Sequence, residues 1–186
     1  MNDQRERFNR VYIKNEYDYL QSDKFKFVYE YVATRINDHE AASVLDVGCW
    51  TGMLADALLA SEFDGTYLGI DISDKAIEEA KGTFRYKPGL DFDIADWRGP
   101  APKQHFDSIY FGGVFYYVED KQGFLYKFLE ANTPSAIIIQ DLASTDLTFL
   151  SDIKHIKRDV YHVNIPLNVK GSAHRNERQI HTIRLN

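Results

Sequence analysis

The 186-residue sequence predicts an α/β fold: a Rossmann-like, seven-stranded, mostly parallel sheet with helices on both faces and an antiparallel last strand. Three observations predict it. From residue 42 onward short apolar runs alternate with helical stretches, most of these runs end at a turn former or an acid, and the chain closes on two segments in which apolar and polar side chains alternate around a turn-rich stretch.

The elements follow in order. Over residues 5–37, Phe8, Val11 and Tyr12, then Phe25, Val28, Tyr29, Val32 and Ile36, recur at three- and four-residue steps and predict two amphipathic helices. "KNEYDYLQSD" interrupts them, and Ser22 or Asp23 can cap the second. "SVLDVG" (43–48), "TYLGID" (66–71), "LDFDIA" (90–95), "FDSIYFG" (106–112) and "SAIIIQD" (135–141) are short, β-branched or aromatic, and read as strands. Between them "TGMLADALLASE" (51–62), "SDKAIEEAKGTF" (73–84) and "EDKQGFLYKFLEAN" (119–132) read as helices. Two prolines and a glycine make "DWRGPAPKQH" (96–105) a loop. "STDLTFLSDIKHIKRD" (144–159) predicts a last helix, and "VYHVNIPLNV" (160–169) with "RQIHTIRLN" (178–186) an antiparallel hairpin around "KGSAHRNE" (170–177). Residues 1–41 then form an N-terminal helical lid and residues 42–186 one binding domain.

Composition narrows the function. With 28 acidic against 22 basic side chains and a formal charge of −6, a phosphate-tracking surface is disfavoured, so no nucleic-acid partner is expected. Cys49 is the single cysteine, which excludes an internal disulfide and a cysteine-based zinc site. The six histidines (His39, His105, His155, His162, His174 and His181) show no useful ligand spacing, so no metal is expected. The charged start "MNDQRERFNR" lacks the apolar centre of a signal peptide and no run is long enough to span a bilayer, which gives the expectation of a cytoplasmic protein without a membrane partner.

In an open α/β sheet the ligand sits beyond the carboxyl ends of the strands. There the sequence places Asp46 to Gly52, Asp71, Asp96 with Trp97, Phe111 to Gly113, and Asp141. The first turn, "DVGCWTG", lacks the G-x-G-x-x-G spacing of a pyrophosphate loop, because Trp50 and Met53 stand where its second and third glycines belong. Acids at successive strand ends suit an adenosine that bears a positive charge and no phosphate. For any one acid alone, a strand-end or N-cap role is the simpler reading.

"VLDVGCWTG", "YLGIDIS", "FDIADW" and "FDSIYFGGVFYYVED" together resemble the class I S-adenosylmethionine-dependent methyltransferase family over about residues 42–141. The match in the first loop holds at Asp46, Gly48 and Gly52 and departs at Trp50, where the family carries its middle glycine. The resemblance implies S-adenosylmethionine as cofactor. It also implies that Asp46 and the backbone from Gly48 through Cys49 and Trp50 to Gly52 line the methionine end, and that Asp71 accepts from the ribose hydroxyls. Ile72 would pack on adenine, and Asp96 would accept from its amino group with Trp97 alongside. Phe111 and Gly112 would offer backbone contacts. Trp50 would point away, stack on substrate or reshape the pocket.

Methyl transfer from a sulfonium is an in-line displacement that requires alignment and water exclusion more than any one catalytic group. Tyr116 and Tyr117 are candidates to orient the nucleophile, with helix-start packing as the alternative, and Asp141 to accept a proton, with capping as the alternative. Tyr17 and Tyr19 suit a lid over cofactor and substrate. The expected reaction is metal-independent O- or N-methylation of a small-molecule acceptor. A nicotinamide-dependent Rossmann oxidoreductase and a noncatalytic cofactor-binding scaffold are the rivals.

Overall fold

The computed structural model describes residues 2–155, 157–165 and 177–185. Two helices open the chain, α1 (Asn2–Ile13) and α2 (Asp23–Asp38), joined through a 3-10 turn at Asp18–Gln21. Ser22 stands at the N-cap of α2, but its hydroxyl donates to the Tyr19 carbonyl and caps no backbone amide of the helix.

Five parallel strands follow: β1 (Ser43–Val47), β2 (Thr66–Asp71), β3 (Leu90–Ile94), β4 (Ser108–Gly112) and β5 (Ala136–Leu142). Helices α3 (Met53–Ala60), α4 (Asp74–Thr83) and α5 (Lys121–Asn132) connect them, and the β3-to-β4 link contains no helix, as its prolines require. Ser73 and Asp120 cap α4 and α5 by accepting from Ala76 N and Gly123 N.

The chain ends on β6 (Lys157–Asn164) and β7 (Glu177–Arg184). β7 lies antiparallel to both β5 and β6, giving the order β3-β2-β1-β4-β5-β7-β6. The Rossmann-like, mostly parallel fold expected from the sequence is therefore present. Most of the expected turn "KGSAHRNE" lies outside the described residues.

One expected element is absent. In place of a last helix over 144–159 there is a 3-10 turn at Thr148–Asp152, and β6 has begun by Lys157. Asp146 accepts from both the amide and the hydroxyl of Thr148 and so starts the short turn. Cross-strand pairing of Lys157 through Asn164 with β7 then overrides the local helical pattern.

Alternation along the strands divides the core. Leu45, Val47, Ile109, Phe111, Ile137 and Ile139 pack in the layer that includes α5. Val44, Tyr110, Ile138 and Ile180 pack on the opposite face with α2 and α3. The strand order reverses between β1 and β4, and the crevice at their carboxyl ends is where such a sheet takes a ligand.

Candidate functional site

A cleft of about 880 Å3, partly open to solvent, occupies that crevice. Its floor is the β1–α3 turn. Gly48 N and Cys49 N both bond the Ile70 carbonyl, and Gly48, Trp50 and Gly52 all take positive φ, at 85°, 50° and 88°. At Gly48 nothing larger fits, because an added Cβ would meet Val114 Cγ1 at 2.6 Å and the Gly112 carbonyl at 3.1 Å.

Trp50 reaches the left-handed conformation expected of the glycine it replaces, at a cost of about 1–2 kcal/mol. Its buried indole meets Tyr17 and Tyr12 with ring centroids 5.3 and 5.7 Å apart, contacts that together offset about that much. The indole borders the cleft and ties the turn to the N-terminal segment.

Asp46 and Asp71 end adjacent parts of the rim. Asp46 is 1% exposed; Tyr67 donates to its Oδ2 at 2.7 Å, and Oδ1 has no hydrogen-bond partner among the described residues. Burial raises its pKa to about 7 against the Tyr67 hydrogen bond, with the Asp71 charge adding to the rise. Asp71 accepts from Trp50 N at 3.0 Å and Ser73 N at 2.8 Å, bonds that aim the carboxylate and leave it further acceptor sites. Burial raises Asp71 to about 6, with the amide bonds opposing.

Ile72, Ala95, Trp97, Gly112 and Gly113 continue the wall. Cys49 is buried and its thiol is pushed well up by that burial, so it acts as a small filler. The N-terminal segment supplies Phe8, Tyr17, Tyr19 and Leu20 on the other side. At the mouth the hydroxyls of Tyr17 and Tyr117 are hydrogen-bonded, and Tyr116 donates to Tyr117 at 2.6 Å. Burial raises Tyr116 and Tyr117 well above the ordinary phenol value, so both are neutral donors at physiological pH.

Four sequence-predicted residues do not line the cleft. Gly52 shapes the turn from behind, where an added Cβ would meet Phe84 Cε2 at 2.6 Å and Phe92 Cε1 at 3.1 Å. Asp96 is held by Arg98, whose Nε and backbone N approach Oδ1 at 2.8 and 3.0 Å and whose Nη2 approaches Oδ2 at 2.5 Å. This local turn withdraws the carboxylate, while its neighbours Ala95 and Trp97 remain on the wall. Phe111 points to the opposite layer, against Phe115, Phe124 and Phe128.

Asp141 is fully buried and accepts from Phe115 N, Leu142 N and Thr145 Oγ1. Those bonds make it the support of the 3-10 turn Phe115–Tyr117, which carries the two tyrosines, and its carboxylate does not line the cleft. Gln140, one residue earlier and on the cleft face, lines the site instead. Arg178 of β7, Tyr29 of α2 and Tyr110 of β4 line it too, without having been singled out from sequence. The polar glutamine before the last residue of "AIIIQD" was the one visible signal.

Among the described residues no group of three or more His, Cys, Asp or Glu side chains could hold a metal ion, and no helix is long and apolar enough to cross a membrane. His105 sits at the far end of β4, against the Asn132 carbonyl and Asp107. His155 lies past the 3-10 turn, outside any helix, and His174 is outside the described residues.

Residues 45–138 match the family described as a methyltransferase domain. The chain belongs to the class I S-adenosylmethionine-dependent methyltransferase family. Among curated methyltransferases it is 23% identical over 124 residues to malonyl-(acyl-carrier protein) O-methyltransferase 2 of Ilyobacter polytropus, covering 64% of this chain and 47% of that protein. A second relative from that organism, malonyl-(acyl-carrier protein) O-methyltransferase 1, is 28% identical over 79 residues, 42% of this chain and 30% of its own. The chain thus spans less than half the length of these relatives.

Methyltransferases of known structure share its fold. The plantazolicin methyltransferase BpumL, in complex with a pentazolic desmethylPZN analog and S-adenosylhomocysteine, superposes with a TM-score of 0.68 at 15% identity, covering 96% of this chain and 91% of its own. The N-methyltransferase NodS from Bradyrhizobium japonicum WM9 with S-adenosylhomocysteine gives 0.68 at 15% identity and 88% of each chain. The family match leaves the nicotinamide-dependent reading without support.

Proposed function

We propose that this methyltransferase binds S-adenosylmethionine in the strand-tip cleft and transfers its methyl group to oxygen or nitrogen of a small-molecule acceptor without a metal ion. The observation that carries the reading is the pairing of Asp46 and Asp71 at adjacent strand tips over a glycine-bounded turn. The orphaned Asp46 Oδ1 in a buried wall calls for a cationic donor, which the cofactor's ammonium supplies. Asp71, already oriented by two amides, accepts from the ribose diol. Ile72, Ala95 and Trp97 give adenine apolar surfaces, and the Gly48 turn lets the backbone approach the amino-acid portion.

When bound, the cofactor supplies a methyl group activated by its sulfonium. For the in-line displacement that such a group would undergo, the residues around the cleft would have to align the acceptor with it. The chain's own contribution is alignment and dryness. Residues 1–41 act as a lid, with Phe8, Tyr17 and Tyr19 closing over the cleft. Tyr116 and Tyr117, held by the Asp141-capped turn, orient the acceptor as neutral hydrogen-bond donors. The relatives named above methylate an acyl-carrier-bound malonyl group at oxygen or act at nitrogen, which supports a reading at either atom.

Calorimetric titration with S-adenosylhomocysteine of the parent and of Asp71→Ala tests the assignment. Binding in the parent with a loss of about 1–3 kcal/mol in the variant is expected. Equal affinities would remove the ribose role of Asp71, and no binding in the parent would remove the reading itself. Binding without methyl transfer from labelled donor to any extract component would favour the scaffold.

A further inference from the structure

Beyond the tyrosines at the mouth lies a second hollow, of about 1090 Å3 and partly open to solvent. Arg7, Arg10 and Lys14 line it at three- and four-residue steps, one face of α1 running into the turn that follows it. Arg178, near the start of β7, lines both this hollow and the cofactor cleft. Because β7 runs antiparallel to β5, its start lies at the carboxyl edge of the parallel strands, which brings the guanidinium to the site. Tyr17, Tyr19, Tyr116 and Tyr117 also border both spaces.

Four cations meet there, and Glu16 is the one acid among the lining residues. None of the four forms an ion pair among the described residues. In a chain of formal charge −6 this local excess runs against the composition. Arg178 sharpens the point: it is 4% exposed, its Nε has no hydrogen-bond partner among the described residues, and its guanidinium rests over the Phe25 ring at 5.4 Å. Asp141 is close enough to feel its charge but makes no ion pair with it, and a buried guanidinium with no carboxylate in direct contact among the described residues is costly unless a ligand completes it.

We propose that this hollow receives an anionic group of the methyl acceptor, a carboxylate or phosphate, gripped by Arg178 and gathered by Arg10 and Lys14. The inference rests on the methyltransferase reading of the adjoining cleft. The planar arginine fork suits either oxyanion, and the α1 cations raise its local concentration. An acceptor anchored outside the tyrosines then presents its nucleophile between them, toward the space bordered by Asp46 and the Gly48 turn.

The test is calorimetric titration of the S-adenosylhomocysteine-loaded protein with succinate, inorganic phosphate and the uncharged succinamide. Succinate or phosphate should bind and succinamide should not, and which anion binds separates the two oxyanions. In Arg10→Gln/Lys14→Gln and in Arg178→Met the anion affinity should fall about tenfold or more. The first variant replaces exposed side chains and should keep its S-adenosylhomocysteine affinity within about twofold. Equal binding of all three probes, binding of none, or unchanged anion affinity in both variants overturns the proposal. So does an Arg178→Met that loses S-adenosylhomocysteine affinity with anion binding intact, since the arginine would then serve the cofactor's own carboxylate. If the parent does not bind S-adenosylhomocysteine, the cofactor assignment falls instead, and the same probes on the ligand-free protein still read the hollow.

Discussion

The cleft at the strand tips is acidic and the hollow beyond the tyrosines is basic, although the same tyrosines border both. Their charges are also held differently. Asp46 and Asp71 are buried and fixed by Tyr67 and by backbone amides, whereas Arg7, Arg10 and Lys14 stand on an exposed helix face without ion-pair partners among the described residues. A rigid donor-and-acceptor set suits one constant ligand, and mobile cations suit attraction of a variable one. On the proposed reading, sign and exposure distinguish the cofactor site from the acceptor site, with Trp50 and the tyrosine cluster as the seam and buried Arg178 lining both.

The largest expected effect falls on that seam. Trp50→Ala should lower stability to urea by about 3 kcal/mol, since it removes a buried indole and its two ring contacts while keeping the left-handed backbone. Trp50→Gly should recover about 1 kcal/mol of that loss, because glycine accepts φ of 50° freely. A glycine variant less stable than the alanine variant would contradict the account of the turn.

Asp71→Ala comes next and should divide the two sites. Its loss of about 1–3 kcal/mol in S-adenosylhomocysteine binding should leave succinate binding to the ligand-free protein unchanged. A parallel loss in both would make the acidic cleft and the basic hollow a single site.

pH gives a third handle, with opposite signs for stability and binding. Burial lifts Asp46 to about 7 and Asp71 to about 6, so between the unfolded carboxylate range and those values the folded chain holds more protons than the unfolded one. Their contribution to the stability of the ligand-free protein is therefore fullest below about pH 4 and is lost as pH rises toward 7, on the order of a few kcal/mol. Asp46→Asn should flatten the upper part of that slope in urea melts taken across pH. S-adenosylhomocysteine affinity should instead rise between about pH 5.5 and 8, on the order of tenfold, as both carboxylates ionise. A pH-independent affinity would take the ionised acids out of recognition.

The smallest effect belongs to Tyr117→Phe. Losing its hydrogen bonds with Tyr17 and Tyr116 should loosen closure by about 0.5–1.5 kcal/mol, read as faster S-adenosylhomocysteine dissociation at an unchanged association rate. An unchanged dissociation rate would leave the tyrosines no part in a lid.

Much of this is legible in the sequence. Asp46, Gly48, Gly52 and Asp71 stand out because an acid or glycine ending an apolar run marks a strand tip in a parallel sheet. The last helix is misread because a helical period over 144–159 says nothing of the partner β7, whose pairing decides the matter. Asp96 is turned from the cleft by Arg98, two residues away, which closes a local turn on its carboxylate.

By itself, then, the order of residues determined the alternation of strands and helices, the turn that follows β1 and the acids at its rim, because these depend on local periodicity and on charge at the ends of buried runs. Which of two successive residues faces the ligand was decided only in three dimensions. A parallel strand is apolar on both sides, so nothing in "YFGG" or "IIQD" says that Gly112 and Gln140 look into the cleft while Phe111 and Asp141 look away. The meeting of Arg178 with the cations of α1 was likewise tertiary, since an antiparallel strand at the far end of the chain had to pair with β5 before it could reach them.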